Sequence, residues 1–206
     1  RQRQMCIRDS SDTALDGHFG SAFALLEQAD GGDLLAVGAP FTWTGSGGLT
    51  GATWLLELET FAPSALPIGC DVNPPESLSV IGGWPTLGET LTLAIDNPLG
   101  THAAGSLPFL VLSFASIASP CGVLLPGWGM ASSASAGELS VSLSSSLPPI
   151  FGPLWAPGSP SPIALPVPND PCQVGLAVYA QGAIYDPAPG GPGFGLTNAL
   201  GLVIGG

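Results

Sequence analysis

Beyond Arg8 the chain has no lysine and no arginine. Phosphate backbones are held by cationic side chains, so this absence excludes a nucleic-acid partner. It also removes the attraction to anionic membrane surfaces. A P-loop lysine and a Schiff-base lysine are impossible for the same reason. Charge of either sign is scarce. Only 9% of the 206 residues are charged, and 14 of the 15 acids lie beyond Asp9 with no cation to face. Sparse charge of one sign favours solubility at little structural cost. Long apolar runs are missing too. Leu107 to Ala115 contains Pro108 and falls well short of the ~20 residues a membrane helix needs, so no membrane insertion is expected.

Glycine and proline are abundant instead, at 30 and 22 residues. Both break helices, and the long charged side chains that clothe helix exteriors are absent. Short strands joined by Gly/Pro turns are therefore expected, and the fold class is all-β. The length allows one or two domains with a proper core.

The opening run Arg1-Gln2-Arg3-Gln4-Met5-Cys6-Ile7-Arg8-Asp9-Ser10 differs in character from the rest and contains every basic residue. It resembles the translated read-through of a transposase adapter used in DNA sequencing libraries. Residues 1–10 are accordingly set aside as an artefact, and the reading frame is expected to be cut at its start.

Setting Cys6 aside leaves Cys70, Cys121 and Cys172. None forms a C-x-x-C pair and no histidine lies at zinc-like spacing, which argues against a metal cluster. Three well-separated cysteines in a loop-rich acidic chain point to an oxidising compartment, that is an extracellular, cell-surface or periplasmic location, and to one disulfide. Three pairings are open. Cys70–Cys121 is preferred because each lies in a turn-like stretch beside Gly or Pro, which leaves Cys172 as the leftover thiol.

Three regions follow the opening run. Residues 11–60 form the first. Residues 61–75 hold Pro63, Pro67, Pro74 and Pro75 and suit an extended spacer. Residues 76–206 read as a succession of strands. Leu91, Leu93 and Ile95 alternate with threonines and serine alternates with Leu139, Val141 and Leu143, which puts one apolar set on one face. Leu176, Val178 and Ala180 share a face, as do Leu200, Leu202 and Ile204. Leu78 to Ile81 is a short first strand. Phe109 to Phe114 is apolar on both faces and should be central. Ser161 to Val167 carries Pro162 and Pro166 and should be an edge strand or extended loop. Together these predict an antiparallel β-sandwich of Ig-like or jelly-roll type.

Residues 11–60 carry three ordered elements: Asp16-Gly17-His18-Phe19-Gly20-Ser21, then Gly32-Asp33-Leu34-Leu35-Ala36-Val37-Gly38-Ala39-Pro40, then Gly51-Ala52-Thr53-Trp54-Leu55-Leu56. This pattern resembles an FG-GAP repeat, the blade unit of integrin-α-like β-propellers. Phe19-Gly20 stands as the FG element and Gly38-Ala39-Pro40 as the GAP element. The resemblance implies a partial β-propeller, here a single blade whose upstream companions are missing, since such a unit cannot bury its faces alone. Many family members hold calcium between FG and GAP. Here that loop is Glu27-Gln28-Ala29-Asp30-Gly31-Gly32-Asp33, in which Asp33 matches a ligand position and Glu27 and Asp30 are possible substitutes. Calcium needs several converging oxygens, so the preferred reading is a metal-free turn at Asp30-Gly31. Residues 76–206, with Thr90-Leu91-Thr92-Leu93, Asp96-Asn97-Pro98-Leu99-Gly100 and the stretch Val174 to Gly182, resemble a C-terminal β module of bacterial secreted proteins, which implies location and architecture only.

Signals for catalysis are weak. Ser46 in Thr44-Gly45-Ser46-Gly47-Gly48 lacks the first glycine of a nucleophile elbow. A triad using Asp96, His102 and a loop serine is conceivable, but an exposed loop histidine is the plainer expectation. Glu57 and Glu59 share one face at a strand end, where they solubilise it more naturally than they flank a glycosidic bond. Trp43, Trp84, Trp128 and Trp155 sit in Gly/Pro-rich stretches, and Trp84, Trp128 and Trp155 are the candidate ligand contacts. The expected function is a non-enzymatic secreted or cell-surface structural or adhesive protein with an extracellular protein or glycan partner. A carbohydrate-binding module and the accessory end of a larger secreted hydrolase are the alternatives.

Overall fold

The computed structural model describes residues 22–27, 33–44, 48–58, 62–118 and 120–206. The chain divides into two units, Arg1–Thr60 and Phe61–Gly206. In the first, β1 (Ala22–Glu27), β2 (Asp33–Thr44) and β3 (Gly48–Leu58) form an antiparallel sheet in that order. Leu35 and Val37, two apart on β2, are both buried, as period-two placement requires. β2 runs on through Pro40. The register slips between Ala39 and Thr42, where proline has no N–H to give the ladder. Trp43, expected in a loop, instead pairs with Leu49 across β2 and β3.

The second unit begins with β4 (Ser64–Ile68). It continues through β5 (Leu78–Gly82), β6 (Thr90–Ile95) and β7 (Leu107–Ser113). A hairpin of β8 (Val123–Pro126) and β9 (Ala136–Leu139) follows. The short β10 (Ile150–Phe151), β11 (Ser161–Pro166), β12 (Ala177–Tyr185) and β13 (Phe194–Val203) complete it. Among the described residues the helical content is two 3₁₀ turns, Leu143–Ser145 and Pro171–Gln173. The chain is thus all-β with antiparallel sheets.

One sheet has the order β10-β7-β12-β13-β4 and the other β11-β6-β5. Their facing side chains share one core. Leu91, Leu93 and Ile95 of β6 and Ile163 of β11 meet Leu110 of β7 and Ile184 of β12 there. The alternation expected for β6 is therefore realised. β7 is flanked on both sides, as its two-faced apolarity requires. β11 is an edge strand, where Pro162 and Pro166 leave no inner ladder bond unmade.

Two expectations are corrected. Residues 61–75 are not simply a spacer: Ser64–Ile68 pairs with β13 from Ser64↔Val203 to Ile68↔Ala199. Pro67 is tolerated because β4 is the outermost strand. The alternation from Leu139 to Leu143 does not give a continuous strand. β9 stops at Leu139, Val141 makes a single bridge to Ser116, and Leu143 begins a 3₁₀ turn with its side chain 60% exposed. The cause is local. The Ser140 N–H is taken by the Gln181 side chain at 2.9 Å and the Ser142 N–H by the Ala115 carbonyl, so no neighbouring strand receives them.

Candidate binding site

Cys70 and Cys121 are bonded, with Cα atoms 5.0 Å apart. Cys172 is likewise engaged in a disulfide, so it is not the free thiol expected. The loops that carry Cys70 and Cys121 are held a second time by Glu138. Its buried carboxyl group accepts from Cys70 N–H, 3.0 Å to each oxygen, and from Gly122 N–H at 2.6 Å. With no lysine or arginine beyond Arg8, this buried carboxyl is satisfied by backbone N–H groups. Gly122 is required there, because a Cβ would lie 2.1 Å from the Leu139 carbonyl oxygen.

Glu138 also belongs to a buried amide network that ties β9 to β13. Asn73 Nδ2 donates to the carbonyls of Glu138 and Thr197 at 2.7 and 2.8 Å, and its Oδ1 accepts from Glu138 N–H at 2.9 Å. Gln181 Nε2 donates to the same two carbonyls at 2.7 and 2.9 Å. The β12–β13 register shifts between Gln181 and Ala183. At this irregularity two side-chain amides replace ladder bonds. The network is complete, and its role is structural.

His102, expected in an exposed loop, is buried at 3% exposure. Its Nδ1 lies 3.2 Å from Thr101 Oγ1, and that hydroxyl also contacts the Met130 carbonyl and Asn97. One hydroxyl proton cannot serve all three. It goes to the acceptor oxygens, the Met130 carbonyl foremost and Asn97 Oδ1 at 3.2 Å, so His102 Nδ1–H donates to Oγ1. Among the described residues, Asn97 Nδ2 and His102 Nε2 are buried with no hydrogen-bond partner. Burial pushes the His102 pKa down, with the nearby Asp186 opposing it. Asp186 is held below the usual carboxylate range, first by the Ala103 N–H and also by that of Ala188. Asp96 does not turn to His102. Its Oδ1 accepts from Trp155 Nε1 at 2.8 Å and from Asn97 N–H. The conceived triad is therefore not assembled.

The three candidate tryptophans separate. Trp155 is 2% exposed and anchors the loop through Asp96, so it offers no surface platform. Trp84 is 56% exposed. Trp128 stacks on Phe194 at 4.6 Å with planes 11° apart. Tyr185 lies against the same Phe194 at 4.8 Å, Phe109 meets it edge-on at 6.4 Å, and Phe151 tilts on Phe109 at 5.9 Å. These five rings cluster on the face of the five-stranded sheet turned away from the core. Register explains it: Phe151 pairs with Phe109, Phe109 with Ala183, and Tyr185 with Phe194. Trp128, Tyr185 and Phe151 keep part of their surface in solvent. Neither Trp84 nor Trp155 belongs to this cluster. Sequence reasoning found Trp128 but missed the other four, because β7, β10, the β12–β13 hairpin and the β8–β9 turn bring these rings together only in the folded sheet.

At the opposite side of that sheet, between the two layers, lies a partly open cavity of about 350 Å³. Leu91, Leu112, Leu165, Val178 and Leu202 form its floor, and all are core residues or packed against the core. Pro85, Pro166, Pro168, Phe114, Leu147 and Leu176 form its rim, with the last three substantially exposed. Gln173 is the one polar side chain in the lining. Interiors normally close voids of this size, because unfilled space forfeits dispersion contacts.

Of the calcium candidates, Glu27 pairs with Asp33 where β1 and β2 close, and Asp30 lies outside the described residues. Among the described residues no cluster of three or more metal-binding side chains occurs. His18 and Glu59 also lie outside the described residues, and Glu57 pairs with Leu34. Among the described residues no helix is long and apolar enough to cross a membrane. The fold and surface define an all-β, disulfide-bonded chain with an aromatic face. No protein-family model matches its sequence, and neither a curated protein nor a solved structure gives a significant match.

Proposed function

We propose that this chain belongs to a non-catalytic, secreted or cell-surface adhesive protein, and that the aromatic face built around Trp128, Phe194 and Tyr185 is its contact surface for a glycan. The observation that carries this reading is the clustering of five rings on one outward sheet face, with Trp128, Tyr185 and Phe151 partly exposed. Flat rings offer apolar platforms to the C–H faces of sugars. Tyr and Trp add a polar edge that tolerates water. The Cys70–Cys121 bond supports an oxidising location. Two facing antiparallel sheets with a common core support an Ig-like or jelly-roll sandwich for the second unit. The antiparallel order β1-β2-β3 supports a propeller blade of FG-GAP type for the first.

The test is a panel of polysaccharides and surface glycans screened against the whole chain and two variants. Trp128→Ala should weaken the bound glycan at least tenfold, or about 1.4 kcal/mol. Trp84→Ala should bind as the unaltered chain does. An unaltered chain that binds no glycan, or a folded Trp128→Ala variant of unchanged affinity, would remove the proposal.

A further inference from the structure

We infer that the interlayer cavity is a binding site for a single unbranched hydrocarbon chain with an uncharged, hydrogen-bonding head, that is, a neutral lipid of the fatty alcohol or monoacylglycerol class. The volume of about 350 Å³ falls in the range of small-molecule sites, roughly 300–1,000 Å³. Such sites are mostly apolar with a few placed polar groups, and the lining here has that character. Two facing sheets stand about 10 Å apart, which gives a slot suited to one extended chain. Leu112, Val178 and Leu202 line that slot from the larger sheet, with Leu91 and Leu165 facing them.

The head group is defined by charge. No acidic or basic side chain lines the cavity. The chain carries no cation beyond Arg8 and a net charge of −12, so a carboxylate or phosphate head would meet a repulsive field and no partner. A neutral head meets no such penalty. Gln173 supplies its contact, because it is the one polar side chain in the lining, is half-buried, and carries an amide that both donates and accepts. The rim prolines Pro85, Pro166 and Pro168 lack N–H groups, which keeps the entrance apolar. Exposed Phe114, Leu147 and Leu176 give the tail a surface on which to enter.

The proposal is independent of the aromatic face, and its test separates the two. Decan-1-ol and decanoate are titrated at pH 7, below self-association, into the whole chain carrying labelled methyl groups. Decan-1-ol should shift the methyl resonances of Leu112, Val178 and Leu202 and bind at least tenfold more tightly than decanoate. Val178→Phe, which fills the slot, should lower decan-1-ol affinity at least tenfold. Gln173→Leu should lower it several-fold with folding intact. Trp128→Ala should leave it unchanged. Decan-1-ol that leaves those methyls unmoved, decanoate that binds as tightly, or a folded Val178→Phe protein that binds as before would overturn the assignment. The methyl shifts of the unaltered chain decide the matter even if the filled variant does not fold.

Discussion

A histidine that the protein buries without a partner for Nε2 makes the fold sensitive to acid. The folded pKa of His102 lies below its ordinary value of 6.5, chiefly through burial, so the unfolded chain binds a proton first as pH falls. Stability from this residue is complete above about pH 6.5 and declines as pH drops from there toward the lowered folded pKa. Asp186 acts lower on the scale. Its folded pKa lies below 3.8, so its contribution persists above that value and is lost as pH falls through the folded one. The melting temperature should therefore fall between pH 7 and pH 5 in the unaltered chain, and His102→Gln should flatten that slope. A melting temperature constant across this range would contradict the assignment. None of this was legible in the sequence. His102 sits among Gly and Asn residues that suggest an open loop, and its burial depends on Gly195, where a Cβ would come 2.6 Å from the imidazole ring.

Among elements, alternation revealed the strands whose partners are strands and failed where side chains supply the bonds. β6, β11 and β13 follow their apolar pattern because one face of each meets the shared core. β9 ends early because Gln181 captures the Ser140 N–H, and a glutamine more than forty residues away leaves no local trace. β4 was hidden by Pro63 just before it and Pro67 within it, which its outermost position accommodates. The amide network beside β9 is correspondingly sensitive. Asn73→Ala removes three buried hydrogen bonds and strips the Glu138 N–H of its partner. An unmet buried donor costs about 1–3 kcal/mol. Urea unfolding should show a loss of about 2–3 kcal/mol, and a loss below 0.5 kcal/mol would mean that Gln181 alone suffices.

For the molecule as a whole, composition announced strands, and the turn-like surroundings of Cys70 and Cys121 favoured their pairing over two others, while the aromatic face and the cavity emerge only once distant strands are assembled. The disulfide closes 51 residues of chain, and loop-closure entropy for that length gives about 4 kcal/mol. With marginal stabilities of about 5–15 kcal/mol, that is a large share. The double variant Cys70→Ala/Cys121→Ala should therefore lose about 2–4 kcal/mol in urea unfolding, and an unchanged midpoint would show that the bond constrains nothing. Glu138 bonds the backbone N–H groups of Cys70 and Gly122, contacts that do not involve the sulfurs. A reduced molecule that stays folded thus keeps each thiol facing its mate. With an external disulfide as oxidant, one cysteine forms a mixed disulfide and releases one external thiol, and its mate then displaces the second external thiol in a unimolecular step of high effective concentration.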